Sequence, residues 1–108
     1  MIRTFYYDSS SDEGIESSEA REMTLENALE TFYNLSEEKG SFIGFKTNDK
    51  IIQFDWNDDN LWMADIPDPQ KRGSFQKECD YDQCVDIIKS AFDNPNWQIP
   101  NDFGFMSW

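Results

Sequence analysis

The chain has 108 residues, which suffices for one hydrophobic core but not for two, so we expect a single domain spanning residues 1–108. Its 22 acidic and 9 basic residues give a formal net charge of -13, and it contains no histidine. This charge disfavours nucleic acid and anionic membranes as direct partners and favours a basic protein surface. The alternative is that the acidity serves only solubility.

The N-terminal region predicts a strand followed by an acidic loop. Residues 2–7 are mainly β-branched and aromatic, which indicates a first strand pairing at the edge of the sheet. Residues 8–22 contain six acids among serines and one glycine, a composition typical of a mobile loop. This loop is either a solvated linker or an acidic arm that meets a basic partner through residues such as Asp12, Glu13 and Glu16.

A first amphipathic helix is predicted from about residue 25 to residue 35, with Thr24 as its N-cap. Its apolar residues recur at helical spacing: Leu25, Ala28, Leu29 and Phe32. Because the strands are rich in aromatic residues, we expect both Phe32 and Tyr33 to lie in the core or at its margin.

Residues 41–67 predict three antiparallel strands joined by the polar turns 47–49 and 57–60. Alternation places Ile52, Phe54 and Trp56 on one face of the middle strand, and Trp62, Ala64 and Ile66 on one face of the third. A short fourth strand is expected around Phe75. The fold class is therefore α+β: an antiparallel β-meander of about four to five strands with two amphipathic helices packed on one face.

The second helix begins at Asp80, since Asp80 and Gln83 have the spacing of a capping box, and it ends at residues 94–96. Cys84 lies on its apolar stripe and is expected to be buried, whereas Cys79 is expected to be more exposed; both should be reduced thiols. The aromatic residues of the tail cover the sheet or form an exposed binding patch. These residues are Trp97, Phe103, Phe105 and Trp108. We expect Trp97 to cover the sheet, and for Trp108 both alternatives remain open.

The residue types available for chemistry favour a binding protein. Without histidine there is no Ser-His-Asp or Cys-His arrangement, and no glycine-rich phosphate loop is present. Asp55, Asp58 and Asp59 are the densest carboxylates, but the sequence around them lacks the calcium-loop pattern, so a hairpin turn is favoured. We expect no catalytic residue, no metal site and no cofactor. No signal peptide or membrane span is evident, which predicts a cytoplasmic protein.

The order of segments over residues 24–108 resembles small immunity proteins of bacterial polymorphic toxin systems, including contact-dependent inhibition. The segments are a helix, the strands FIGF, IIQFDW and LWMADIP, a GSF strand, the helix CVDIIKSAF and a tail ending in tryptophan. The layout is closest to the immunity families that accompany deaminase or nuclease toxins. The resemblance implies cytoplasmic binding of a cognate toxin domain, occlusion of its active site or substrate groove, and no catalysis. The acidic segment 8–22 has no counterpart in that pattern.

Two other functions remain open: a phage-encoded DNA mimic that inhibits a restriction or CRISPR nuclease, and a housekeeping adaptor. For the immunity function we expect a monomer that forms a 1:1 heterodimer with a basic toxin domain, without direct contact to nucleic acid or membrane. The candidate partner-binding residues are nearly all acidic and lie in the acidic loop, in the turn 57–60, on the middle strand, at the end of the third strand and in the tail. They are Asp12, Glu13, Glu16, Asp55, Asp58, Asp59, Asp65, Asp68 and Trp108.

Overall fold

An antiparallel sheet and two helices make up the fold in a computed structural model, which describes residues 2–94 and 96–108. The strands are β1 (Arg3–Asp8), β2 (Glu13–Ile15), β3 (Arg21–Glu22), β4 (Phe42–Lys46), β5 (Ile51–Asn57), β6 (Leu61–Asp68), β7 (Gly73–Cys79) and β8 (Gly104–Ser107). The helices are α1 (Leu25–Asn34) and α2 (Tyr81–Asp93), and short 3-10 turns occupy Ser17–Glu19 and Pro69–Lys71. The strand order is β2-β1-β4-β5-β6-β7-β8, with β3 also paired to β1.

The α+β class and the central meander are confirmed. Consecutive strands β4, β5 and β6 pair as predicted, with Trp56 opposite Trp62 and Phe54 opposite Ala64. The side chains of Phe54 and Ala64 are fully buried. The sheet has eight strands in the described residues rather than four or five, because the segments flanking the meander also pair with it.

Both helices begin where the sequence predicts. Thr24 Oγ1 accepts a hydrogen bond from the Asn27 amide at 3.1 Å, so it caps α1. Asp80 and Gln83 form the capping box of α2, with amide-to-side-chain distances of 2.8 and 2.9 Å. These bonds satisfy amide groups that the first helical turn leaves unpaired.

The two helices pack on the same face of the sheet. The Phe32 ring of α1 lies 5.0 Å from the Trp62 ring and 5.2 Å from the Tyr81 ring of α2. Farther along, Phe92 of α2 meets Phe45 of β4 edge to face, with centroids 5.9 Å apart. A few large rings therefore build the core that joins sheet and helices, as expected for a chain with 16% aromatic residues.

Two side-chain predictions are wrong. Tyr33 is 60% exposed, because it lies about 100° around the helix from Phe32 and only rests its ring against Tyr81 at 5.3 Å. Cys79 is fully buried, because it ends β7 opposite Trp62 on the helix-covered face. Cys79 precedes the α2 N-cap, and its thiol contacts that of Cys84, which is four residues after the cap. These are the two positions of a hydrophobic staple. The burial of Cys84 is confirmed.

Segment 8–22 also differs from the predicted loop. It contains β2, a 3-10 turn and β3, and both strands pair with β1. Asp8 connects the segment to the end of α1, because its Oδ1 accepts hydrogen bonds from the hydroxyls of Ser36 at 2.6 Å and Ser10 at 2.8 Å. Ser36 also contacts Ser41 at 2.8 Å. Composition alone does not predict these strands, because their residues have low β propensity. Hydrogen bonds to the free edge of β1 stabilise them instead.

The aromatic tail divides into a covering part and a strand. Trp97 and Phe103 are buried against the core, which confirms the covering role expected for Trp97. Gly104–Ser107 then forms β8, which pairs antiparallel with β7 and was not predicted. No helix in the described ranges is long and apolar enough to cross a membrane.

Phe32 and Tyr33 provide a matched test of the core. Phe32→Ala should lower the free energy of unfolding by about 3–5 kcal/mol, because it removes a buried ring from contact with three others. Tyr33→Ala should cost less than about 1 kcal/mol, since its ring is mostly in solvent. Urea denaturation of both variants measures the difference. Similar losses would contradict this account of the core.

Asp8 should stabilise the fold in a pH-dependent way. Hydrogen bonds, first of all from Ser36, lower its pKa below the ordinary 3.8. The stabilisation is therefore present above pH 3.8 and is lost as pH falls through the lowered folded-state pKa. Asp8→Asn should lower Tm at pH 7 by a few degrees at most, because solvent screens the carboxylate, and by progressively less below pH 3.8. Thermal denaturation across pH tests this, with Glu13→Gln, which removes an exposed charge nearby, as the control.

Candidate interaction surface

The face of the sheet opposite the two described helices carries the candidate interaction surface. On β5 the side chains of Gln53 and Asp55 point away from the helices, and on β6 those of Met63 and Asp65 do so, because their neighbours in sequence fill the core. We call this surface the open face. It includes Arg3, Phe42, Lys46, Ile51, Gln53, Asp55, Leu61, Met63, Asp65, Pro67, Ser74, Gln76, Glu78, Met106 and Trp108, with the basic residues Arg3 and Lys46 at its β1–β4 corner.

A row of polar side chains crosses the centre of the open face. Gln53, Asp65 and Gln76 are direct neighbours on β5, β6 and β7. The Gln53 side-chain amide donates to Asp55 Oδ1 at 2.7 Å, and the Gln76 amide donates to Asp65 Oδ1 at 2.8 Å. We call these four residues the polar row. Each half-buried carboxylate is thus oriented by a glutamine rather than by a cation.

The local environment makes the charged form of Asp55 unfavourable. Burial raises the pKa of Asp55 above its ordinary 3.8, and the nearby Asp65 carboxylate raises it further, while the Gln53 hydrogen bond opposes both effects. A cationic side chain placed over the polar row would relieve the repulsion between the two carboxylates. The polar row is therefore complementary in charge to a basic surface.

An exposed apolar patch lies beside the polar row. Trp108 is 71% exposed and Met106 is 57% exposed. The Trp108 indole N–H donates to Ser74 Oγ at 3.2 Å, and Ser74 lies between Met106 and Pro67 on neighbouring strands. Met106 and Trp108 form the tail patch on this face, whereas Phe105, which is 43% exposed, points to the helix side of β8.

Acidic residues are concentrated at one end of the sheet. The register places the β1–β2 turn, the end of α1, the β5–β6 turn and the start of α2 at this end. We call it the acidic end. Its acids are Asp8, Asp12, Glu13, Glu37, Glu38, Asp58, Asp59, Glu78, Asp80 and Asp82, and Lys39 is the basic residue among them. Most of the basic residues lie at the opposite end: Arg3, Arg21, Lys46, Lys50, Lys71 and Arg72.

Few of the acids are neutralised within the chain. Residues 2–94 and 96–108 contain two ion pairs, Lys50 with Asp49 and Lys77 with Asp102. Other lysines have different contacts: Lys46 donates to the Ser17 carbonyl at 2.7 Å, and Lys71 lies over the Phe75 ring. Most of the negative charge is consequently available to an external partner.

The structure brings some of the nine predicted contact residues together and separates others. Asp55, Asp65 and Trp108 share the open face. The acidic end holds another four: Asp12, Glu13, Asp58 and Asp59. Glu16 follows β2 and lines a pocket with Asp12 of the acidic end and Phe42 of the open face. Asp68 lies at the far end of β6 from Asp58, about 23 Å along the strand, and caps a 3-10 turn by accepting from the Lys71 amide. One flat partner surface would not contact all nine.

Sequence reasoning missed the two glutamines and Met106. Alternation along β5 already places Gln53 on the same side as Asp55, so that signal was available. Placing Gln76 beside Asp65 requires the β6–β7 register, and Met106 requires knowledge that the tail forms β8. These contacts depend on pairing between distant segments.

The described residues include no group of three or more cysteine, aspartate or glutamate side chains arranged to hold a metal ion. One polar cleft of about 490 Å3 separates the β1–β2 hairpin from α1. Asp8, Glu13, Asn27 and Glu30 contribute to its lining. These side chains supply acceptors for a cationic group but no nucleophile paired with a base.

Asp55→Asn should increase the stability of the free protein at pH 7. Because burial raises the folded-state pKa of Asp55, its contribution to stability is fully present below about pH 3.8 and is lost as pH rises through the raised pKa. Asparagine does not ionise, so the variant avoids the loss of stability that occurs when Asp55 becomes charged. Its side-chain oxygen can still accept the hydrogen bond from Gln53.

Thermal denaturation of Asp55→Asn between pH 3 and pH 8 tests this expectation, and each kcal/mol gained should raise Tm by about 4 °C. Asp58→Asn is the control, because it removes the same charge from an exposed turn. A Tm gain that equals the control's, or that does not shrink toward acid pH, would contradict the proposed effect of burial.

No protein-family model matches the sequence, and neither a curated protein nor a solved structure is detectably similar to this chain.

Proposed function

We propose that the chain is an immunity-type inhibitor, which binds a cationic toxin domain one to one in the cytoplasm and occludes its active site or substrate groove. The observation that carries this proposal is the open face, where half-buried carboxylates without cationic partners lie beside an exposed apolar patch. A surface of this kind stabilises a complex more than it stabilises the free protein. The order of segments, which resembles immunity proteins, supports the same function.

Three parts of the surface would contribute differently. The acidic end and the net charge of -13 would accelerate association with a cationic domain. The tail patch would supply affinity, since exposed tryptophan and methionine side chains lose water on binding and are common interface anchors. The polar row would select for lysine or arginine side chains at one position, because an apolar group there would leave both carboxylates desolvated and unpaired.

A toxin that acts on nucleic acid fits this arrangement. Such a domain needs a positive groove for the phosphate backbone, and carboxylates spaced along a rigid sheet can occupy that groove in place of phosphates. Inhibition requires no reaction, so the proposed protein is not an enzyme and uses neither a cofactor nor a metal.

Two substitutions should separate steering from affinity. The double variant Asp58→Lys/Asp59→Lys, at the acidic end, should lower the association rate constant by roughly tenfold, with a smaller effect at high salt. Trp108→Ala should mainly accelerate dissociation, by about 30-fold if it removes roughly 2 kcal/mol. Neither change should lower Tm by more than a few degrees, because all three side chains are exposed.

The measurement is stopped-flow binding to the toxin domain that co-purifies with the chain and is identified by mass spectrometry. The double variant Asp86→Lys/Asp93→Lys, on the exposed side of α2 and beyond its N-terminal turn, is the matched charge control. An association rate that is indifferent to salt and to the position of the reversed charges would contradict electrostatic steering. Co-purification of a restriction or CRISPR nuclease instead would replace the immunity proposal with DNA mimicry.

A further inference from the structure

The two edges of the sheet differ in how they are protected. At one edge, β2 and β3 have three and two residues, and their exposed side chains include Glu13, Arg21 and Glu22. Short charged strands are a common way to prevent unwanted pairing at an edge. At the other edge, β8 has four exposed residues, Gly-Phe-Met-Ser, with no charge and no proline. This second edge lacks that protection.

The hydrogen-bonding pattern shows which groups of β8 are free to pair. The Trp108 amide donates to the Arg72 carbonyl at 2.8 Å, and Met106 lies opposite Ser74. Because amides alternate in direction along a strand, those of Gly104, Met106 and Trp108 face β7. The backbone N–H and C=O groups of Phe105 and Ser107 therefore point outward, away from β7.

Side chains on both sides of β8 could cover an added strand. Phe105 points to the helix side, where its ring meets that of Phe75 at 5.3 Å, yet it remains 43% exposed. Met106 and Trp108 lie on the open face and are more exposed still. A strand paired to β8 would bury apolar area on both of its faces, a favourable setting for β-strand addition.

We propose that the β8 edge accepts an extended segment of the cationic partner, which becomes the next strand of the sheet. The charge of the occupant rests on the function proposed above. A second copy of this chain would bring together two molecules of net charge -13, whereas a cationic segment is attracted. An added strand would lie three strand spacings, about 14 Å, from Asp65, so its lysine or arginine side chains would point toward the polar row without pairing directly with it.

Ser107→Pro tests this pairing directly. It removes one outward N–H but none of the N–H groups that face β7, and edge strands tolerate proline at such positions. Ser107→Ala makes a comparable change in the side chain while keeping the N–H. Met106→Pro removes an N–H that faces β7, so it reports what loss of the β7–β8 ladder itself does to Tm.

The probe is a fluorescein-labelled synthetic peptide of about ten residues with alternating lysine and valine, and fluorescence anisotropy measures its binding to the full chain. The wild-type protein and Ser107→Ala should bind it equally, and Ser107→Pro should bind it at least roughly tenfold more weakly at unchanged Tm. Binding should also slow hydrogen exchange at the Phe105 and Ser107 amides. A peptide of alternating glutamate and valine should bind much more weakly than the lysine peptide.

Equal peptide affinity for Ser107→Pro and wild type, or no binding of the lysine peptide, would overturn the inference. Sedimentation that shows a dimer of the chain, lost in Ser107→Pro, would overturn it in favour of a second copy. These outcomes are distinguishable from failure of the proposed function. A toxin that binds Ser107→Pro normally but responds to the charge reversals at Asp58 and Asp59 would show binding without strand addition.

Discussion

The packing of aromatic rings between the helices and one face of the sheet is the interaction on which the rest of the structure depends. Phe32 stands at its centre, in contact with Phe54, Trp62 and the Tyr81 ring of the second helix. Because these rings concentrate the apolar burial on one side, the other side of the meander need not contribute to the core. The face opposite the helices can therefore carry charged side chains such as Asp55 and Asp65.

The distribution of charge follows from this division. A chain with 22 acids gains nothing for its own stability from half-burying two of them side by side. Exposed turns could have carried the same charges at lower cost. Carboxylates held by glutamines on rigid strands keep fixed positions, and groups of fixed geometry bind a complementary surface with less loss of conformational entropy. Binding sites commonly contain residues that lower the stability of the free protein.

Most of the architecture follows from local sequence patterns, whereas the composition of the surface does not. Alternation and capping residues identify the central strands and both helices, including the box formed by Asp80 and Gln83. The strands β2 and β8 have no strong local signal, because pairing to a neighbour stabilises them. The burial of Cys79 and the meeting of Gln76 with Asp65 depend on the same long-range register. Sequence periodicity predicts which face of a strand a residue occupies, but it does not predict which residues of other strands lie next to it.

The unequal placement of acidic and basic residues along the sheet gives the molecule an electric dipole in addition to its net charge. A net charge attracts a cationic body from any direction, while a dipole aligned roughly with the strands also exerts a torque on the approaching pair. The protein would therefore tend to rotate its acidic end forward before contact. Exchanging charges between the two ends at constant composition would leave the isoelectric point unchanged yet reverse the preferred orientation of the encounter.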